Sequence, residues 1–394
     1  MSKFPERMAD VLGTPPAIAY LDHAATTPLR PEARAAMLPW LGGTFGNPSG
    51  AHAVARAARQ AIDEARDTIA GVLGCAPNEV VFTGGGTEAD NLAVLGVPAA
   101  RPGPVLASAV EHHAVLEPLE VVGGRTVAVD RRGVVDLDAL ASALTPETTL
   151  VSVMTANNEV GVVQPLSDVA RVVRRHAPDA ALHTDAVQGA AWLDIADVAA
   201  GADLVSVSSH KFGGPQGVGV LVVRRGTPLQ PRAIGGGQER ELRSGTHNVA
   251  GIVGMAAALA AKASARDEES TRVSALRDRL ADGLLAEIPD AVETAGRSAV
   301  LPGTAHLTID GVESEALLFL LDEAGVCASA ASACASGAQE ASHVLAAMGV
   351  PLRATAGALR LSLGWTSTDA DVDRALDVVP TAVAKLRVAA GSLR

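Results

Sequence analysis

The sequence predicts an α/β protein with a large domain on a mostly parallel, seven-stranded sheet, followed by a smaller α+β domain. Three observations predict this fold. Short apolar runs alternate with helical patterns up to residue 223, which is typical of βαβ units and of a sheet covered on both faces. A long Ala-rich helical stretch follows at 249–287, and the order of elements changes after it. The length of 394 residues suits two or three domains of roughly 150 residues each.

The individual elements follow from hydrophobic spacing in chain order. Apolar side chains recur at helical intervals over 54–72, and further helices are predicted at 88–96 and 167–176. The strands of the large sheet are predicted at 79–83, 105–108, 126–129, 149–154, 180–184, 203–207 and 218–223. The small domain is predicted from strands near 305–309 and 358–363 and from helices at 313–323 and 368–388.

The helical connector fixes the predicted domain division. We expect residues 17–262 to form the large, ligand-binding domain. Residues 1–16 and 263–394 are expected to form the small domain, which contains Cys334. Neither an internal repeat nor a low-complexity tract interrupts this organisation.

Composition narrows the function classes. Acidic residues outnumber basic ones by 44 to 32, and aromatic residues make up only 2% of the chain. A protein that coats nucleic acid needs a basic face and often aromatic stacking platforms, so we expect no direct nucleic-acid partner. The N-terminus lacks the apolar core of a secretory signal, and no unbroken apolar run reaches membrane-spanning length. We therefore expect a cytoplasmic protein without a membrane partner.

The cysteine pattern argues against a disulfide-stabilised protein and against a zinc-binding protein. The three cysteines, Cys75, Cys327 and Cys334, cannot make a disulfide framework, and none has zinc-type spacing. No metal site is predicted. Cys75 and Cys327 lie in apolar surroundings, which favours structural thiols.

A glycine-rich turn at 84–86 follows a predicted strand and opens a predicted helix. Backbone N–H groups at such a helix start suit a phosphate. The same residues match a G-x-G-x-x-A dinucleotide pattern, but an acid about 20 residues further on, at a strand end, is missing. A plain tight turn is the third interpretation, and the turn alone does not decide among them.

Two more segments close predicted strands and carry chemistry. Asp185 ends a buried strand, where open parallel sheets place their ligands, although an Asp there could equally cap a helix. Lys211 is the only lysine between residues 4 and 261 in a chain that otherwise uses arginine. A lysine amine can condense with an aldehyde, which a guanidinium cannot. A phosphate cup, a carboxylate and an amine together fit pyridoxal phosphate.

At this point the chain resembles the cysteine desulfurases of the NifS/IscS type, within the class V aminotransferase group of fold-type I pyridoxal phosphate enzymes. The resemblance runs from Tyr20 to about residue 388. Ten short stretches in the same order carry it: 25–28, 45–48, 82–91, 111–112, 157–161, 185–188, 208–211, 243–246, 332–334 and 360–364.

The resemblance implies the catalytic and cofactor-binding residues. Lys211 would bind the cofactor's aldehyde and move a proton, Asp185 would pair with its ring nitrogen, and His112 would stack on its ring. Gln188 and Asn158 would lie near the ring oxygen. The phosphate would be bound by Gly86, Thr87, Ser208 and His210, with Thr246 contributed by the other subunit of a homodimer.

The remaining implied roles concern the substrate. Asn47, Asn158 and Arg360 would bind the carboxylate of L-cysteine, for which a bidentate guanidinium is suited. Each residue has a plainer interpretation when taken alone. His112 could be half of a surface pair, Asn158 a turn residue, and Arg360 the wet face of a strand.

Cys334 decides the reaction that the resemblance implies. It lies among small side chains that need no burial, and a thiolate there would take sulfur from L-cysteine as a persulfide and leave L-alanine. Ala330 and Ala331 replace a Ser and a Gly that related enzymes usually have. We expect this substitution to stiffen the segment and to keep Cys334 away from the cofactor before substrate arrives.

Several alternatives stay open. The chain could be another class V pyridoxal phosphate enzyme, such as a selenocysteine lyase or a transaminase, or an idle scaffold of a sulfur-transfer complex. The predicted partners are L-cysteine, a second copy of the chain and a sulfur-acceptor protein. Iron–sulfur cluster assembly, thiolation of tRNA or cofactors, and phosphorothioation of DNA all begin with an enzyme of this type.

Overall fold

The computed structural model describes residues 18–330 and 342–391. A seven-stranded sheet organises the first part of the chain. Its strands are β2 (Val80–Thr83), β3 (Val105–Ser108), β4 (Arg125–Val127), β5 (Leu150–Ser152), β6 (Ala181–Asp185), β7 (Leu204–Ser208) and β8 (Gly219–Val223). The order across the sheet is β2-β8-β7-β6-β5-β3-β4; β8 is antiparallel to both neighbours and all other pairs are parallel.

Helices cover this sheet because each presents an apolar stripe to it. In α2, for example, buried Ala58, Ile62, Ala65 and Ile69 recur at intervals of three and four residues. The helices of this part are α1 (Pro31–Met37), α2 (Ala53–Leu73), α3 (Gly86–Ala100), α4 (His113–Val121), α5 (Leu137–Ala143), α6 (Leu166–His176) and α7 (Ile195–Val198).

A second, smaller layer follows helix α8 (Val249–Glu287). Its antiparallel sheet has the order β12-β10-β9, and a parallel pair joins β1 to β11. The strands are β1 (Ala19–Tyr20), β9 (Ala291–Glu293), β10 (Thr304–Ile309), β11 (Val326–Cys327) and β12 (Ala358–Ser362); the helices are α9 (Ser314–Glu323), α10 (His343–Ala347), α11 (Leu352–Thr355) and α12 (Asp369–Gly391).

Buried apolar clusters follow these two layers. One large cluster contains side chains from Ala33 to Leu259, and another contains those from Val273 to Val383. Ala19 and Leu21 pack into the second cluster because β1 pairs with β11. The predicted boundary at residue 262 lies inside α8, and the domain division stays a prediction. Residues 1–16 of the predicted small domain lie outside the described residues.

Helix α8 is the one described helix whose length and apolar composition would also suit a membrane span. In this structure 56% of its most apolar 18-residue window is buried inside the protein. Ile252, Met255 and Leu259 belong to the large cluster. The apolar character of α8 is therefore used, at least in part, for internal packing.

The predicted α/β architecture is confirmed, with a mostly parallel central sheet of seven strands. Element ends differ by a few residues. The helix predicted at 88–96 begins at Gly86 and continues to Ala100 through Pro98. The strand predicted at 149–154 ends at Ser152, because the chain turns there into a loop that reaches the functional site.

Candidate active site

A cavity of about 410 Å³ lies where several parallel strands of the large sheet end. Open α/β sheets place ligands at this edge. Ten residues that the sequence analysis singled out line the cavity: Gly86, Thr87, His112, Asn158, Asp185, Gln188, Ser208, His210, Lys211 and Arg360. They come from helices, strand ends and loops of both layers, so the fold brings distant parts of the sequence together here.

Lys211 ends a short 3₁₀ turn directly after β7. Its Nζ donates hydrogen bonds to the carbonyl oxygens of Ala24 and Ala25, at 2.6 and 2.9 Å. Burial, helped by the nearby Arg360 guanidinium, lowers the pKa of the Lys211 amine from 10.5 to about 8. A substantial fraction of the amine is therefore neutral near pH 8, as reaction with an aldehyde requires.

Asp185 is the last residue of β6, and its side chain is almost fully buried. The Oδ1 atom accepts a hydrogen bond from the Val187 N–H at 2.8 Å. Burial, and after it the nearby Asp90 carboxyl, raise the pKa of Asp185 to about 7 against the lowering effect of Lys211. A cation in the cavity would therefore be strongly favoured beside this carboxylate.

His112 caps the start of α4, where its Nδ1 accepts a hydrogen bond from the Ala114 N–H at 3.0 Å. Burial lowers the pKa of His112 to about 4, and the positive charge of Lys211 adds to this effect. The imidazole is therefore neutral at pH 7. A neutral ring in this position can lie against an aromatic ligand and can accept a proton through Nε2.

The glycine-rich turn forms an open cradle at the start of α3. Gly85 has a φ of 149°, which favours glycine. A Cβ atom on Gly86 would lie 2.7 Å from Val187 Cγ2 and 3.4 Å from Ser208 Cβ, so only glycine leaves this space free. Backbone N–H groups at a helix start and the nearby hydroxyl groups of Thr87 and Ser208 suit a phosphate.

Arg360 enters the cavity from β12 of the smaller layer. Its guanidinium donates to the Asn158 carbonyl and to Asp22 Oδ1, each at 2.8 Å. The buried Nε has no hydrogen-bond partner among the described residues. An unpartnered buried N–H group in a cavity wall favours an acceptor ligand such as a carboxylate.

Three predicted site residues are not brought together here. Asn47 and Thr246 are exposed and do not line the cavity of this single chain. Cys334 lies outside the described residues, and so does the stiffness expected for its segment. The other two thiols fit their predicted structural role, since burial raises the pKa of Cys75 to about 11 and also raises that of Cys327.

Sequence reasoning missed other members of the cavity wall, namely Asp90, Glu159, Ser329 and His343. Asp90 could have been found, since it follows Gly86 by four residues on α3 and shares its face. Glu159 accepts a hydrogen bond from Ser342, which caps α10. No local sequence pattern predicts the contact between Glu159 and Ser342, because the two residues are 183 positions apart.

The cavity fits pyridoxal phosphate. It offers a partly neutral amine, a buried carboxylate, a neutral imidazole and a cradle that a Cβ atom would fill. Lys211 would bind the aldehyde, Asp185 the ring nitrogen, and the α3 start the phosphate. When bound, this cofactor supplies an electron sink for bonds at the amino acid's α-carbon.

Comparisons with known proteins agree with this geometry. The class V aminotransferase family matches residues 19–375. The "IscS-like cysteine desulfurase" of Mycobacterium tuberculosis is 46% identical over 390 residues, which are 95% of this chain and 98% of the relative.

Solved structures give the same result. A "NifS-like protein" superposes with a TM-score of 0.88 at 35% identity, over 93% of this chain and all of that one. A structure described as "SspA in complex with cysteine" has a TM-score of 0.75 at 33% identity and covers 87% of this chain and 98% of that one. The chain therefore belongs to the class V aminotransferases and, within them, to the pyridoxal phosphate-dependent cysteine desulfurases of the IscS/NifS type.

Proposed function

We propose that this desulfurase converts L-cysteine to L-alanine and passes the sulfur, as a persulfide on Cys334, to an acceptor protein. The observation that carries the proposal is that the Lys211 amine and the buried Asp185 line one cavity. The described residues that flank the Cys334 segment, Ser329 and His343, line the same cavity. Cys334 follows Ser329 by five residues, and five residues of extended chain span at most about 18 Å.

We assign substrate binding and proton transfer to different residues of the cavity. Arg360, with Nε free to donate, orients the substrate carboxylate with Asn158. Lys211, whose pKa is lowered to about 8, and the neutral His112, whose pKa is lowered to about 4, are two of the cavity groups that can accept a proton; His210, also lowered to about 4, is a third. The persulfide step is balanced: the Cys334 thiolate attacks the substrate sulfur, the S–S bond forms, and the C–S electron pair stays with the fragment that becomes alanine.

We also propose that two copies of the chain are needed for a complete site. Thr246 and Asn47 are predicted to contact cofactor and substrate, yet both are exposed and neither lines the cavity of its own chain. Large apolar side chains are exposed on both sides of Asn47; these are Leu38, Leu41, Phe45 and Val54. A second copy would cover them and place these polar residues at the neighbouring cavity.

The test is an absorption spectrum of the pure protein, followed by sulfide and alanine assays with L-cysteine. We expect a yellow protein whose sulfide release falls at least 100-fold in Cys334→Ser, while Cys327→Ser keeps its rate. The persulfide is expected by mass spectrometry on Cys334. Alanine formation at an unchanged rate in Cys334→Ser would instead indicate a lyase that releases sulfur directly. A colourless protein that pyridoxal phosphate cannot restore would contradict the proposal.

A further inference from the structure

A row of buried polar side chains crosses the sheet beneath the cavity. The His183 ring of β6 lies in the middle, with Nδ1 2.8 Å from Ser152 Oγ on β5 and Nε2 3.0 Å from Ser206 Oγ on β7. All three side chains have 0% exposure. Residues two apart on a strand share a face, so His183 lies directly behind Asp185.

Two carboxyl groups lie at the ends of this row. Asp90 Oδ1 on α3 is 3.5 Å from His183 Nε2, and Glu111 Oε1 accepts a hydrogen bond from the Met154 N–H at 2.6 Å. Both side chains are fully buried. Asp90 Oδ1 and Glu111 Oε2 have no hydrogen-bond partner, and neither carboxyl pairs with a Lys or Arg, within the part of the chain that the structure describes.

Three buried carboxyl groups cannot all be ionised around one histidine, because each unpaired buried charge costs several kcal/mol. The histidine does not neutralise them, since burial lowers the pKa of His183 to about 4. Burial also raises the pKa of Asp90 to about 7 and that of Glu111 well above its usual value, Asp185 adding to the latter. Of the three, Asp185 faces the cationic Lys211 across the cavity.

We propose that Asp90 and Glu111 each hold a proton beneath Asp185, so that a ring nitrogen in the cavity meets a single carboxylate. Every hydrogen between the two ends then has a place in one chain, and the proton of Glu111 lies on Oε2, which has no hydrogen-bond partner among the described residues. Asp90 donates to Ser206, Ser206 to His183 Nε2, His183 Nδ1–H to Ser152, and Ser152 to Glu111. Ser206 contacts Asp90 and Ser152 contacts Glu111, and as hydroxyl donors they lower the pKa values of these carboxyl groups; the proposed proton on Asp90 reverses the donor at the Ser206 contact.

These residues are positioning residues for the known reaction. They do not touch substrate. The proton-ordered chain holds β5, β6 and β7 together at the point where Asp185 leaves the sheet, and it keeps further negative charge away from that carboxylate. An additional carboxylate nearby would raise the pKa of Asp185 by charge repulsion, and a protonated Asp185 would no longer be the negative partner of the ring nitrogen.

The first test uses cofactor-free protein, so that it does not depend on the proposed route of sulfur. Infrared spectra at pH 7 are expected to include the carbonyl bands of protonated Asp90 and Glu111 among those of the buried carboxyl groups. Asp90→Asn should remove one band and Glu111→Gln the other. Asp63→Asn, at an exposed position of α2, is the matched control and should remove neither. Carbonyl bands that are the same in both site variants as in wild type would overturn the proposal.

The second test uses the loaded enzyme and follows the pH midpoint of the cofactor's visible absorption band. Asp90→Asn and Glu111→Gln replace neutral groups by neutral groups, so the midpoint should stay within 0.3 pH units of wild type, whereas Asp185→Asn should lower it. A fall of one unit or more in Asp90→Asn or Glu111→Gln would mean that the variant had removed a carboxylate, and it would contradict the proposal.

A third measurement, nitrogen NMR of His183, identifies the ring nitrogen that carries the proton. A proton on Nε2 instead of Nδ1 would contradict the proposed order of hydrogens in the chain.

Discussion

Lys211 is the residue whose environment most changes its chemistry. Its amine is buried beside Asp185 and hydrogen-bonded only to backbone carbonyls among the described residues, so desolvation dominates and the pKa falls to about 8. Deprotonation on rising pH therefore occurs well below the 10.5 of an exposed lysine. The neutral amine is the form that attacks an aldehyde.

This predicts the pH dependence of cofactor uptake. The rate at which cofactor-free protein captures pyridoxal phosphate should rise with pH, have its midpoint near 8, and level off above it. Stopped-flow absorbance measures this rate. Lys211→Arg should capture no cofactor, and Lys385→Arg, at an exposed position of α12, should behave as wild type. A rate that keeps rising toward pH 10.5 would contradict the lowered pKa.

Single residues were predictable from sequence where a rare residue type followed a strand. Lys211 was conspicuous among arginines, and Asp185 ended an apolar run. The roles of His183 and Glu111 were not predictable, because they depend on contacts that join three strands and a loop. Spacing along the chain carries no information about such contacts.

At the scale of elements, the backbone at the start of α3 leaves little room for a side chain. Its cradle depends on the missing Cβ of Gly86, which faces Val187 and Ser208. A methyl group there would either push these neighbours apart or occupy ligand space. Overpacking of this kind typically costs about 1–3 kcal/mol.

Gly86→Ala is therefore expected to weaken pyridoxal phosphate binding by about tenfold or more. Equilibrium titration by absorbance measures this. The matched control is Gly71→Ala on α2, whose Cβ would meet open space; it should keep cofactor affinity and raise stability by up to about 1 kcal/mol. Thermal unfolding of both cofactor-free variants separates a binding defect from a folding defect. Unchanged affinity in Gly86→Ala would show that the cradle is not the phosphate site.

Element types were largely predictable, and element ends less so. The strands of the parallel sheet read as continuous apolar runs because both faces are covered, and their predicted positions lie within two residues of those observed. The short strands β1, β9 and β11 escaped prediction. Each has two or three residues and exists only because a partner strand lies beside it.

At the scale of the whole molecule, the proposed second copy makes a clear prediction. Phe45→Glu or Leu41→Glu would place a charge in the interface, and we expect a dimer to become a monomer with much weaker cofactor binding. Light scattering after gel filtration measures the mass. Phe319→Glu, at an exposed apolar residue on α9 in the other layer, is the control and should leave the mass unchanged. A wild-type monomer with full activity would contradict the proposal.

The two carbonyls that hold Lys211 have a further consequence. Ala24 and Ala25 lie in a segment fastened to the smaller layer, since Asp22 pairs with Arg360 and the Ala24 N–H donates to Ser362 Oγ. Capture of an aldehyde uses hydrogens that these carbonyls now accept. Aldehyde binding at Lys211 and the contacts between this segment and the smaller layer are therefore coupled. If firm contacts disfavour aldehyde binding by a given free energy, aldehyde binding weakens the contacts by the same amount. The affinity of Lys211 for an aldehyde thus depends on how firmly the smaller layer binds the segment that contains Ala24 and Ala25.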